Sequence, residues 1–374
     1  MMENNNNNCA KNKNINDDYL FISNEFTNLC KNQRYVPTVH NAVNRIIVLG
    51  DIHGDYNLVL QLLKIGKVIN VTSDEIIWIG GDTVVVQVGD QIDRCRPTIA
   101  GRKCNIDPLA TINDENSDTK ILKLFTKLDK QAIKFGGQVI SLLGNHELLN
   151  AQGYINFVSK KNIDESIYLN KKTQTLHYGR RARIESFRPG HKYGKFLGCT
   201  RVSCLIIGSN LFVHAGLLTK IITDLKITNQ DDLIHVDILV RKWLIGLINK
   251  EYITHIINSG NVSDDDHHES MFWTRVLGNL PPDLSYEHCK KDIGDVLKIL
   301  QIGNIIVGHT PQSFSDPGKN SNSTCDKKVW RIDNGSSAAF HQFDPNYIKN
   351  HTISDSRKPQ VLEILNDTEF SVLC

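Results

Sequence analysis

Arg45-Ile46-Ile47-Val48-Leu49-Gly50-Asp51-Ile52-His53-Gly54 decides how the rest of the chain is read. The run from Arg45 to Leu49 is mostly β-branched and apolar, as a buried strand should be. The chain leaves it through Gly50 into a short segment carrying two metal-competent side chains, Asp51 and His53. The same construction returns four times. Val84 to Val88 leads into Gly89-Asp90-Gln91-Ile92-Asp93-Arg94, and Val139 to Leu143 into Gly144-Asn145-His146-Glu147. Leu211 to Val213 leads into His214-Ala215-Gly216, and Asn304 to Val307 into Gly308-His309-Thr310-Pro311. Longer amphipathic stretches, expected as helices at about 55–66, 119–135, 236–250 and 292–300, alternate with these strands in the manner of an α/β protein. In such sheets ligands bind beyond the carboxyl ends of the strands, where glycine permits tight turns and close backbone approach. Each block alone is ordinary; five in this order define a site.

The chain of 374 residues carries 22% charged and 40% apolar residues and a formal net charge of +2. That balance offers no footprint for a polyanion, so no nucleic-acid partner is expected. No apolar run is long enough to span a bilayer, and Met1-Met2-Glu3 followed by asparagines is not a signal peptide, so no membrane partner is expected. The nine cysteines lack C-x-x-C spacing, which reads as reduced thiols in a cytoplasmic protein. Cys95, directly after Arg94, is a candidate redox sensor with Cys104, against the plainer reading of an inert small side chain.

Residues 1 to about 16 are Asn- and Lys-rich and read as a disordered tail. Residues 17–374 read as one catalytic domain with insertions at about 96–118, 150–200 and 313–326, the last a mobile loop of Ser, Asn, Gly and Pro. Arg180, Arg181, Arg183, Arg188, Lys192 and Lys195 read as a solvated basic face or a dock for an acidic phosphopeptide. Ser263-Asp264-Asp265-Asp266-His267-His268-Glu269 reads as an exposed cap before a helix rather than a second metal site.

The five blocks resemble the metallophosphoesterase superfamily, and within it the phosphoprotein phosphatase branch, over roughly residues 45–340. The resemblance implies an αββα sandwich of two mixed β-sheets flanked by helices, the calcineurin-like fold. It implies that Asp51 and His53 hold one metal, that Asp90 bridges, and that Asn145, His214 and His309 hold the second. The donors are oxygen and nitrogen without thiolate, which favours two divalent cations, Mn²⁺ first, with Fe or Zn²⁺ as alternatives. A hydroxide shared by the two would attack phosphorus in line. His146 is expected as general acid, with Asp93 holding its imidazole in orientation. Arg94 and Arg275 are expected to bind phosphate through their planar forks.

The chain departs from the branch after Arg94, where Cys95 stands in place of glycine. Gly308-His309-Thr310-Pro311-Gln312, Val329-Trp330-Arg331-Ile332-Asp333-Asn334-Gly335-Ser336 and Phe187-Arg188-Pro189-Gly190 are similar to the Shewanella-like protein phosphatases. The expected activity is therefore hydrolysis of phosphate monoesters on phosphoproteins or phosphopeptides, at Ser/Thr, Tyr or both. The alternatives are a dinucleoside-polyphosphate or nucleotide hydrolase with the same metals, and a non-catalytic phosphate-binding scaffold. Length and polar insertions lean toward a monomer.

Overall fold

The computed structural model describes residues 16–73, 75–97, 101–257, 270–314 and 320–374. Sixteen strands occur among them: β1 (Val39–His40), β2 (Arg45–Leu49), β3 (Ile69–Val71), β4 (Ile76–Trp78), β5 (Val84–Gln87), β6 (Gln138–Leu142), β7 (Ile167–Asn170), β8 (Thr175–Tyr178), β9 (Arg201–Val202), β10 (Cys204–Ile207), β11 (Asn210–Val213), β12 (Asn304–Val307), β13 (Asn322–Thr324), β14 (Val329–Arg331), β15 (Val361–Leu365) and β16 (Glu369–Leu373). Twelve of them make two six-stranded mixed sheets, in the orders β16-β15-β2-β5-β6-β9 and β1-β10-β11-β12-β14-β13. In the first sheet β2, β5, β6 and β9 run parallel, and the antiparallel pair β15-β16 closes the outer side of β2.

Side-chain alternation along the strands builds the layers. Ile46 and Val48, with Val84, Val86, Ile140 and Leu142, face the second sheet and pack on Leu205, Phe212, Ile306 and Trp330. Ile47, Leu49, Val85 and Val139 point the other way, onto the helices Tyr56–Ile65 and Asp118–Ala132. The second sheet repeats the pattern: Ile206, Leu211, Val213, Ile305 and Val307 meet the helices Gln230–Ile245 and Tyr286–Leu300. The result is helix, sheet, sheet, helix, the expected αββα arrangement.

The helix boundaries follow their caps. Asp55 accepts the amide of Leu58 at 3.0 Å to open the helix Tyr56–Ile65. Asn229 opens Gln230–Ile245, six residues before the expected start, and left-handed Gly246 ends it.

Two expectations are corrected. Six cysteines are not free thiols but form disulfides, Cys30–Cys199, Cys95–Cys104 and Cys289–Cys325, while Cys204 and Cys374 are free. The pairing depends on tertiary approach, such as the packing of Phe21, Phe26 and Cys30 against Cys199, Ile238 and Ile245, which spacing does not encode. The polar stretch 313–326 is also not wholly a loop. Asn322–Thr324 is a strand, because the left-handed residues Cys325, Asp326 and Lys327 turn it back onto β14. The expected tail and the Ser263–Glu269 run fall almost wholly or wholly outside the described residues.

Among the described residues no helix is long and apolar enough to cross a membrane.

Candidate metal centre

Each ligand-bearing block begins where a strand of one of the two large sheets ends, so five strands converge on one buried cluster. Asp51, His53, Asp90, Asn145, His146, His214 and His309 are all buried. His53, Asp90, Asp93 and His309 adopt left-handed backbone, at φ of 46°, 52°, 71° and 65°. Non-glycine residues rarely do so, and four of them at one cluster mark a place where the fold holds strain to aim side chains. Glycine is obligatory at two neighbouring positions. A Cβ on Gly144 would collide with Asp90 Oδ1, and one on Gly308 with Asp51 Oδ1.

Asp90 lies in the middle. Its Oδ1 is 3.4 Å from His214 Nε2 and accepts the amide of His146 at 2.9 Å. Its Oδ2 is 3.8 Å from both His53 Nε2 and His146 Nε2. Two groups of donors sharing Asp90 are close enough to hold an ion each: His53, Asp90 and His146, and Asp90, His214 and His309. Asp51 approaches His53 Nε2 to 3.7 Å and accepts the amide of His309. Asn145 Oδ1 stands 2.9 Å from His214 Nε2.

Carbonyl oxygens fix the histidine tautomers, because a carbonyl can only accept. His214 Nδ1 donates to Val88 at 2.8 Å, His309 Nε2 to Trp273 at 3.1 Å and, more weakly, His53 Nδ1 to Ile92 at 3.4 Å. The other nitrogen of each ring is left for the cluster, as in histidines oriented for a metal. His146 differs: its Nδ1 meets a carboxylate, Asp93 Oδ2, at 2.8 Å, and Asn150 Nδ2 binds the same carboxylate at 2.9 and 3.0 Å.

The electrostatics follow from burial and from the crowding of carboxylates and imidazoles. Burial first, and then Asp333 and Asp90, push the Asp51 carboxyl well above its ordinary range. Burial, with help from Asp90, lifts Asp333 to about 6, and its Oδ2 is buried without a hydrogen-bond partner. Burial pulls His309 and His53 down, helped by Arg275 and Arg96 respectively. Burial also pulls on His214, but the Asp90 carboxylate, the Val88 carbonyl and Glu147 together raise that ring. His214 Nε2, Asn145 Oδ1 and Asp90 Oδ1 thus converge as acceptors that need a proton or a cation between them. A site of crowded carboxylates, an orphaned carboxylate oxygen and pre-aimed imidazoles fits divalent metal ions.

The phosphate-binding candidates divide. Arg275 is exposed beside the cluster and donates through Nη1 to the His309 carbonyl at 3.0 Å. Arg94 is buried and turned away, donating to Gly54 O at 3.1 Å and Glu115 Oε1 at 2.6 Å. Arg183, read as part of a basic face, is 2% exposed, with Nη2 2.8 Å from Asp118 and Nε bonded to Asn150.

Several residues escaped the sequence reading. Asp333 follows β14 as the other blocks follow their strands, and that position was the available signal. Asn150 lies four residues after His146, on the same helical face. Glu147 accepts the amides of Asp90, Gln91 and Gly144, binding two of the blocks together.

A family model described as calcineurin-like phosphoesterase matches residues 44–313, and the chain belongs to that family. Its curated relatives include a named protein phosphatase. Shewanella-like protein phosphatase 2 of Arabidopsis thaliana is 28% identical over 329 residues, which cover 78% of this chain and 71% of that protein. A protein of Acanthamoeba polyphaga mimivirus is 35% identical over 263 residues, covering 67% of this chain and 97% of the relative. Among solved structures, the cold-active protein-tyrosine phosphatase of a psychrophilic Shewanella species superposes with a TM-score of 0.55 at 20% identity, over 94% of this chain and 85% of that one, a likeness of fold.

Proposed function

We propose that this protein is a two-metal phosphatase that hydrolyses phosphate monoesters on phosphoproteins. The observation that carries the reading is the pair of donor groups joined through Asp90, with three histidines pre-oriented by carbonyls. Asp51, which reaches His53, would join His53 and Asp90 around one cation and leave His146 as proton donor; Asn145, which reaches His214, would join Asp90, His214 and His309 around the other. Bound there, two cations supply positive charge against phosphoryl oxygens and lower the pKa of water.

The chain's own residues do the rest. Asp93 and Asn150 hold His146 so that Nδ1 is engaged and Nε2 faces the centre. From there Nε2 hands its proton to the departing serine, threonine or tyrosine oxygen. Phe157 and Phe340, edge-on to His146 and His53 at 4.9 and 5.4 Å, keep bulk water off those rings. Exposed Arg275 offers its guanidinium to a phosphate arriving from solvent.

Protein as the substrate rests on the kinship with the Shewanella-like phosphatases. The test is a Mn²⁺-supplemented panel of p-nitrophenyl phosphate, phosphotyrosine and phosphoserine peptides, and diadenosine tetraphosphate, with Asp90→Asn as control. Turnover of a phosphopeptide, lost in the control, supports the reading. Preference for the dinucleotide would replace it with a nucleotide hydrolase. Two bound metals without any turnover would leave a phosphate-binding scaffold.

A further inference from the structure

Arg94 and Arg96 are two residues apart and serve different sites. Arg94 is committed to Glu115 and Gly54, with Asp55 at 3.7 Å. Arg96 turns to the metal centre. Its Nη1 donates to the carbonyls of Asp93 and Cys95 at 3.0 and 2.8 Å, which fixes one edge of the guanidinium. Its plane is held by two rings, the guanidinium carbon lying 4.9 Å from the centroid of Phe340 and 5.6 Å from that of Phe157. These are the rings that abut His53 and His146. The group therefore sits across the mouth of the cluster, half-buried, with its charge felt at Asp90, Asp93, Asp333 and Asp51. Among the described residues it makes no ion pair with a carboxylate, whereas Arg94 and Arg183 each do.

The backbone beneath it is anchored on three sides. The Cys95 amide donates to Phe157 O at 3.1 Å, Gln342 Nε2 donates to Arg96 O at 2.8 Å, and Cys95 is bonded to Cys104. A guanidinium that is partly desolvated, stacked between aromatic rings and free of a carboxylate partner is prepared for a dianion.

We infer that Arg96, and not Arg94, contacts the non-reacting oxygens of the substrate phosphate. The inference rests on the phosphatase reading above. It accounts for the replacement of glycine by Cys95: the cysteine ties down the turn that swings the next arginine into the centre and frees Arg94 to brace the Gly54 turn.

The test is titration of inorganic phosphate into Mn²⁺-loaded protein by calorimetry, with metal content measured for every variant and hydrolysis of p-nitrophenyl phosphate followed in parallel. Arg96→Met should bind phosphate about 10- to 100-fold more weakly at unchanged metal content, the effect of losing charge-assisted hydrogen bonds. Arg96→Lys, which keeps the charge without the fork, should recover only part of the loss and serves if the methionine variant does not fold. Arg94→Lys should lower the unfolding midpoint and leave phosphate affinity nearly as it is. Parental phosphate affinity in both Arg96 variants, or a larger loss in Arg94→Lys, overturns the inference while leaving the phosphatase reading intact. A parent protein that is metal-loaded yet neither binds phosphate nor turns over the ester overturns both.

Discussion

Arg183→Met removes a buried cation from between two carboxylates, and the damage should depend on pH. Arg183 is 2% exposed, with Nη2 2.8 Å from Asp118 and 3.4 Å from Asp93. Breaking a buried pair by removing one partner costs about 3–5 kcal/mol. Methionine fills much of the volume and can keep the contact with Phe187, over which the guanidinium is stacked at 4.1 Å. The lost term is therefore mainly charge.

Burial raises Asp118 from 3.8 to about 6, against the opposing pull of Arg183. A carboxyl whose native pKa lies above its unfolded value holds its proton more tightly when folded. Its contribution to stability is thus greatest below pH 4 and declines by about 3 kcal/mol as pH rises through 6. Without Arg183 the native pKa climbs further and the decline continues to higher pH. At pH 5 Asp118 is largely protonated in both proteins and needs little countercharge; at pH 8 the variant must bury it ionised or take up a proton. Urea unfolding with chelator present throughout should show the midpoint about 1–2 M below the parent at pH 8 and less than half that difference at pH 5. Equal midpoint differences at the two pH values would refute the charge-based account.

Other predictions follow from the same geometry. His146→Ala should lower kcat about 10²- to 10⁴-fold on phosphoserine peptides and less on p-nitrophenyl phosphate, whose leaving group needs little protonation; equal losses on both substrates would remove the proton-donor role. Gly144→Ala should displace Asp90 and weaken Mn²⁺ binding at least about tenfold by calorimetry, because the new Cβ meets its carboxylate. Cys289→Ser opens a bond closing a sequence separation of 36, and should cost about 3–4 kcal/mol in denaturant unfolding without reductant and little with it.

Much of this was legible in the chain because strand, glycine and ligand occur together. β2, β5, β6, β11 and β12 lie within a residue of their expected limits, and their blocks converge as the alternation required. What could not be read depended on contacts between distant segments. Arg94 and Arg96 take different partners, Glu115 and Gly54 for the one and the carbonyls of Asp93 and Cys95 for the other, though composition makes them equivalent. Arg183 looked like its neighbours Arg180 and Arg181, yet it shares a helical face with Phe187 and meets Asp118 from another element. Asn322–Thr324 has little intrinsic preference for a strand and is one because β14 offers an edge.

The placement of β15 bears on how the molecule assembles. The strand that leads into Asp51 and His53 is flanked by residues 361–365, with Ile46 opposite Ile364, so one edge of its ladder waits for a segment more than 300 residues away. During synthesis β2 can join β5 and β6 early, but until residues 361–373 are made its other edge stays unpaired. Such long-range pairing slows folding and leaves an adhesive edge. A nascent chain arrested before residue 361 should therefore engage chaperones or aggregate even though every proposed metal ligand has already been made.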